Sequence, residues 1–280
     1  MSSDRRHGHA WRIATLTIVG TAIALPLVVF VLGPNMPPGH RTTGASSQVT
    51  DNTVLLVVMT PFTVFILVYL GYALFAFRAA PGEELRDGPP IRGHRPSQIA
   101  WLAVTSVAVL FLAIFGTAEL FASNGAGGGD GPKPISKPKG PVLAVQVIGQ
   151  EWEFTYRYPS YGGVETAQLV LPVNREIEFH VTSLDVIHSF WAYELGVKAD
   201  ANPGVDNVAF VKAKTTGDFQ IRCAELCGLW HGYMFDTGQV VTGTQFSNWI
   251  AGQRKQFTPV EKYLPRYSVT YSPDPQARAG

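Results

Sequence analysis

The chain has 280 residues, 46% of them apolar and 15% charged, with 22 Lys and Arg against 21 Asp and Glu. A formal charge of +1 lacks the basic surplus of a nucleic-acid binder, so no nucleic acid is expected as a partner. The shortage of charge points instead to partial residence in membrane lipid. Two cysteines, both in one short segment, exclude a disulfide framework and direct attention to metal or redox chemistry.

Three apolar stretches come first, at 13–33, 53–77 and 99–122. Each is long enough to cross a hydrocarbon core, which takes about 20 residues as a helix. Glu119 is the only charged residue in the second and third. The loop between those two carries Arg78, Arg86, Arg92 and Arg95, and the N-terminus carries Arg5, Arg6 and Arg12, whereas 34–52 holds only Arg41. By the positive-inside rule the N-terminus and the Arg-rich loop are cytoplasmic and everything after Ala122 lies outside. The expectation is a multi-pass protein of a bacterial cell membrane. The first stretch also has the form of a secretory signal segment, with a charged start before an apolar run. Its greater length favours a retained third helix.

Residues 123–141 are rich in Gly, Pro and Lys and read as a linker. Beyond them the hydrophobic period drops to two. Phe154, Tyr156 and Tyr158 alternate with Glu153, Thr155 and Arg157, and Ile177, Phe179 and Val181 alternate with Glu176, Glu178 and His180. Such alternation predicts half-buried antiparallel strands. Further strands are expected at 142–148, 168–173, 208–212, 218–223 and 239–242. The predicted class is membrane-anchored α+β: transmembrane helices over 1–122, the linker, a small β-sandwich or barrel over 142–257, and a polar tail over 258–280.

The chemistry concentrates in Cys223-Ala-Glu225-Leu-Cys227-Gly-Leu-Trp-His231-Gly-Tyr-Met234. Thiolate, imidazole and thioether are soft-to-borderline ligands, a set that suits copper. Cys223 follows a predicted strand, so these donors fall on the loop leaving it. His188 closes the strand-like run that begins near Glu176, from where one sheet end brings it to the loop. A disulfide accounts for the cysteines alone. Structural zinc has no use for a thioether, and a mononuclear blue-copper site needs only one thiolate. Copper is favoured on ligand type, with zinc and a disulfide as the alternatives. His180 reads as a solvated residue on a polar strand face, and His7, His9, His40 and His94 lie on the wrong segments.

Asp185-Val-Ile-His188-Ser-Phe, Leu195-Gly-Val-Lys-Ala-Asp200-Ala-Asn-Pro203-Gly204, the Cys223–Met234 motif and the aromatic segment Gly149-Gln-Glu-Trp152-Glu-Phe-Thr-Tyr156 together resemble cytochrome c oxidase subunit II. The resemblance covers the outer domain and the helical hairpin before it. It implies a cupredoxin-like Greek-key domain holding a dinuclear copper centre. Cys223 and Cys227 would bridge the two coppers, with His188 and His231 binding one each. Met234 would complete one site and the Glu225 carbonyl the other. The Glu225 side chain would reach a magnesium ion at the interface with oxidase subunit I. Trp152 would be where electrons arrive from cytochrome c or an equivalent donor, while oxygen reduction and proton pumping would belong to subunit I and its partner subunits. Asp185, Glu194 and Asp206 are candidate steering acids for a basic donor.

The chain also departs from the family pattern. Phe154 replaces a second tryptophan, Val205 an arginine after Pro-Gly, and Gln98 a glutamate that helps admit protons in the family. Glu83 or Glu84 would have to substitute for the last of these. A copper chaperone, a nitrous oxide reductase domain and a quinol oxidase subunit are the competing readings. The second is a soluble protein with a large extra domain, and the third lacks the copper ligands.

Overall fold

The computed structural model describes residues 3–78, 82, 93–122, 128–129, 131–134 and 137–261. Two compact units emerge, Met1–Met36 with Thr50–Thr117, and Pro37–Val49 with Ala118–Gly280. Glu83, Glu84, Arg86, Arg92, the side chain of His7, most of the linker and the residues after 261 lie outside the described residues.

The helices are α1 (Ser3–Leu27), α2 (Thr43–Ala76) and α3 (Arg95–Ala122). All three are long and apolar enough to cross a membrane. Within a bilayer each satisfies its own backbone, the requirement that selects helices there. Pro26 removes a backbone donor near the end of α1, and the chain continues as a π turn over Val28–Leu32. In the first unit α1 runs antiparallel to α2. The His9 Nδ1 and Tyr72 hydroxyl are 2.7 Å apart at one end, and a Cβ on Gly33 would lie 2.9 Å from Thr53 at the other. Midway, a Cβ on Gly20 would lie 2.8 Å from Val64 Cγ1, so small residues set this approach. α2 begins well before its apolar run because Thr42 caps it: the Ala45 N–H donates to Thr42 Oγ1 at 2.8 Å.

The second unit is a sandwich of two five-stranded sheets. In one, β1 (Leu143–Gln150), β2 (Glu153–Tyr158), β3 (Val164–Thr166), β5 (Glu176–Ser183) and β8 (Asn207–Lys212) lie in the order β3-β2-β1-β5-β8. In the other, β4 (Val170–Pro172), β6 (His188–Ala192), β7 (Val197–Ala201), β9 (Gly217–Cys223) and β10 (Phe235–Val241) lie in the order β4-β10-β9-β6-β7. Most pairs are antiparallel, but β1 with β5 and β10 with β4 are parallel. This is a cupredoxin-like arrangement in which the chain crosses repeatedly between sheets.

Tyr156, Phe179, Phe190 and Phe219 fill the space between the sheets, each at most 1% exposed. Burying one such aromatic is worth about 1.5–3 kcal/mol. The Tyr158 hydroxyl donates to the Val170 carbonyl at 2.9 Å and accepts from the Val170 N–H at 3.0 Å, tying β2 to β4. A fourth helix, α4 (Gly243–Glu261), closes one side through Phe246 and Ile250. A reciprocal cap starts it: Thr242 N–H to Gln245 Oε1 at 3.0 Å, and Gln245 N–H to Thr242 Oγ1 at 3.3 Å.

Candidate metal centre

The Cys223–Met234 segment joins the neighbouring strands β9 and β10. The Cys223 N–H donates to the Met234 carbonyl at 3.0 Å and so closes the loop at its root. A further bond, Ala224 N–H to the Ser189 carbonyl at 2.9 Å, fastens the loop to β6. His188 opens β6, and Phe190 pairs with Cys223 across to β9. His188 therefore does not close the run from Glu176, as expected from sequence. That run ends at Ser183 in the opposite sheet, and the chain changes sheets before the histidine.

Five side chains of the expected donor set converge. Cys223 Sγ and Cys227 Sγ are 3.7 Å apart. His188 Nδ1 is 3.9 Å from Cys223 Sγ, His231 Nδ1 is 3.5 Å from Cys227 Sγ, and Met234 Sδ is 3.8 Å from Cys227 Sγ. The Glu225 carbonyl oxygen lies 3.2 Å from Cys223 Sγ, while its side chain is exposed. The donor atoms of His188, Cys223 and Cys227 all fall within 4.8 Å of one another. His188 is fully buried and Met234 nearly so, and His231 is half-buried at the rim. Two thiols, two imidazoles, a thioether and a carbonyl around one small space fit a soft-metal centre with both sulfurs in the middle.

The electrostatics agree with that fit. Burial opposes ionisation of Cys223, but hydrogen bonding to His188 and to the backbone at Ser189 and Glu225 outweighs it and brings the thiol down to about 6. Cys227 moves the other way, pushed up to about 12 by burial and by the Cys223 sulfur beside it. Without a metal, the pair gives up one proton readily and holds the second, as two close acids do. A metal ion held by both sulfurs would remove the obstacle to the second ionisation.

Trp152 stands in the turn between β1 and β2, half-buried, and its indole N–H donates to the Cys227 carbonyl at 3.1 Å. Gly228 gives the ring room: a Cβ there would lie 3.3 Å from Trp152 Nε1, and its φ of +114° suits only glycine. Gly149 does the same for His188, since a Cβ would lie 3.0 Å from the imidazole Cδ2. Neither glycine stands out by residue type, and both are found only from the approach they permit. Phe154, in the place of a second tryptophan, meets His188 edge-on with centroids 6.4 Å apart.

The other histidine of the sandwich, His180, lies on β5 in the opposite sheet. His180 is not solvated: its Nδ1 lies 2.8 Å from Asp206 Oδ2 and its side chain is 16% exposed. His94 Nδ1 accepts from the Ser97 N–H at 3.3 Å at the start of α3. The three candidate steering acids are each engaged: Asp206 with His180, Glu194 with the Gln220 N–H at 2.7 Å, and Asp185 with several partners.

The fold and site define a cupredoxin-like domain carried on transmembrane helices, with a soft-metal loop between two adjacent strands. A family model described as cytochrome c oxidase subunit II, periplasmic domain, matches residues 164–241. Cytochrome c oxidase subunit 2 of Thermostichus vulcanus is 26% identical, over 84% of this chain and 84% of its own length. Its counterpart in Cereibacter sphaeroides is 27% identical, over 92% of this chain and 94% of its own length. The crystal structure of the periplasmic domain of cytochrome oxidase subunit II from Bradyrhizobium japonicum is 34% identical, covering 44% of this chain and 99% of its own, with a TM-score of 0.41. Residues 164–241 thus match the periplasmic domain of the cytochrome c oxidase subunit II family, and the likeness to subunit 2 proteins extends over most of the chain.

Proposed function

We propose that this chain is the electron-accepting subunit of a membrane-bound cytochrome c oxidase and that its loop holds a dinuclear copper centre. The observation that carries this reading is the 3.7 Å approach of two buried thiols, with His188, His231 and Met234 each within 3.9 Å of one of them. The thiolates of Cys223 and Cys227 would hold the metals, with His188, His231, Met234 and the Glu225 carbonyl completing the donor set. When bound there, two copper ions would supply a one-electron relay between cytochrome c and the haem-bearing subunit I.

The chain's own residues do the rest. His188, buried against the Phe154 ring, is shielded from water, and the β9–β10 root holds both sulfurs in place before any metal arrives. Trp152 provides an aromatic surface bonded directly to the backbone of the ligand Cys227, which supports its assignment as the receiving point for electrons. The exposed Glu225 carboxylate would bind magnesium at the subunit I interface. Oxygen reduction and proton pumping belong to subunit I. Residues 1–122 would form the membrane region with the N-terminus cytoplasmic, and residues 142–257 the copper domain outside.

Metal analysis of the copper-loaded full chain in detergent, with its visible, near-infrared and electron paramagnetic resonance spectra, tests the reading. Two coppers per chain with a mixed-valence signal are expected. One copper with a single-site signal would overturn it. Co-purification with a haem-bearing subunit separates an oxidase subunit from a tethered copper chaperone.

A further inference from the structure

Asp185 lies just outside the ligand set, and its carboxylate gathers contacts from three directions. Oδ1 accepts the Val186 N–H at 2.6 Å and lies 2.8 Å from His188 Nε2. The Ser183 hydroxyl lies 3.3 Å from the same oxygen. Oδ2 accepts the Glu151 N–H at 2.7 Å, a bond that crosses to the β1–β2 turn. That amide immediately precedes Trp152. One carboxylate therefore touches a proposed copper ligand with one oxygen and the turn presenting the electron-receiving indole with the other.

Chemistry gives the first contact a direction. An ionised carboxylate only accepts, so the proton between Asp185 and His188 sits on Nε2 and leaves the Nδ1 lone pair facing Cys223. A simple Asp turn would need Oδ1 and the local backbone alone. It would not require a second oxygen reaching a residue 34 positions earlier in the chain. An acid serving only to attract a basic donor would keep its oxygens toward solvent. The Asp185 side chain is 35% exposed, yet both of its oxygens are engaged by internal donors.

We infer that Asp185 is a positioning residue that sets the tautomer and orientation of His188 and, through the Glu151 amide, holds the Trp152 turn against the ligand loop. This inference rests on the proposed copper centre, but two of its readouts do not need the metal. In the copper-free chain at alkaline pH, where the ring is neutral, nitrogen-15 shifts of His188 should show the proton on Nε2. Asp185→Asn, which keeps the shape and loses the charge, should speed hydrogen exchange at the Glu151 amide.

In the copper-loaded full chain, Asp185→Asn should lower copper affinity about tenfold to a hundredfold, the usual cost of losing an outer partner of a ligating imidazole. It should also shift the near-infrared band and the copper hyperfine pattern, with the salt dependence of electron uptake unchanged. An Nδ1-protonated His188 in the wild-type chain would overturn the inference even if the variant fails to fold. So would wild-type spectra, affinity and Glu151 exchange in the variant, with only the salt dependence altered, the pattern of a surface steering acid. A wild-type chain without a dinuclear signal would instead defeat the copper reading and leave the tautomer and exchange results to judge Asp185.

Discussion

Gly149→Ala probes the site with one carbon atom. Gly149 has a backbone conformation open to any residue, so the substitution carries no left-handed strain and acts by contact alone. The new Cβ would lie 3.0 Å from His188 Cδ2 and 3.3 Å from its Cβ and Cγ. Ordinary carbon contacts are about 3.5–4.0 Å, so strand or ring must give by about 0.5 Å. If the ring moves that far away from Asp185, their 2.8 Å contact stretches to about 3.3 Å, past the range of a good hydrogen bond. Overpacking of this kind costs about 1–3 kcal/mol. In a unit of this size the melting temperature should fall by about 2–12 °C. Thermal unfolding of the copper-free chain by near-ultraviolet circular dichroism measures that cost, and copper titration measures the ligand's displacement. Unchanged melting together with an unchanged copper spectrum would refute the claim that Gly149 sets the position of His188.

Three other outcomes can be checked alongside it. Cys227→Ser removes the sulfur nearest to Cys223, His231 and Met234, and should abolish the dinuclear spectrum rather than weaken it, as electron paramagnetic resonance will show. Trp152→Phe keeps a ring but loses the bond to the Cys227 carbonyl. It should slow electron uptake from cytochrome c with the copper spectrum largely intact, and an unchanged stopped-flow rate would defeat the assignment. Burial raises Tyr156 and Tyr158 well above the ordinary tyrosine range. The folded state therefore keeps protons that the unfolded chain releases near pH 10, so stability is intact below that pH and declines above it, by about 1.4 kcal/mol per pH unit for each ring. Denaturant midpoints between pH 9 and 12 should show this decline. Tyr158→Phe should flatten it while lowering stability at neutral pH by about 1–3 kcal/mol, because both Val170 polar groups lose their partner.

The membrane helices were legible because uninterrupted apolar length is itself their signal, and the loop because its donors sit within one short segment. β6 was not legible as a strand. His188, Ser189 and Phe190 are all buried, so no alternation betrays it, and its sheet is chosen by contacts distant in sequence. β7 does alternate, but through Val197, Ala199 and Ala201, whose small side chains give a weak pattern. α4 left two readable traces, the Thr242–Gln245 capping spacing and the apolar stripe Phe246, Trp249, Ile250, in an otherwise polar stretch. Asp185 lay in plain view three residues before His188. Only the fold shows that its second oxygen reaches the Trp152 turn.

The bond between Cys223 and Met234 that closes the loop at its root bears on how the protein loses and regains metal. Bringing the ends of a flexible loop together costs conformational entropy, and here that ordering is complete once β9 and β10 pair. Few torsions remain to be frozen when an ion arrives, so most of the donor set's attraction appears as affinity. Stripping the metal should leave the sandwich standing, and reloading should proceed without refolding. Assembly of the oxidase can then treat folding of this domain and filling of its centre as separate events, in that order.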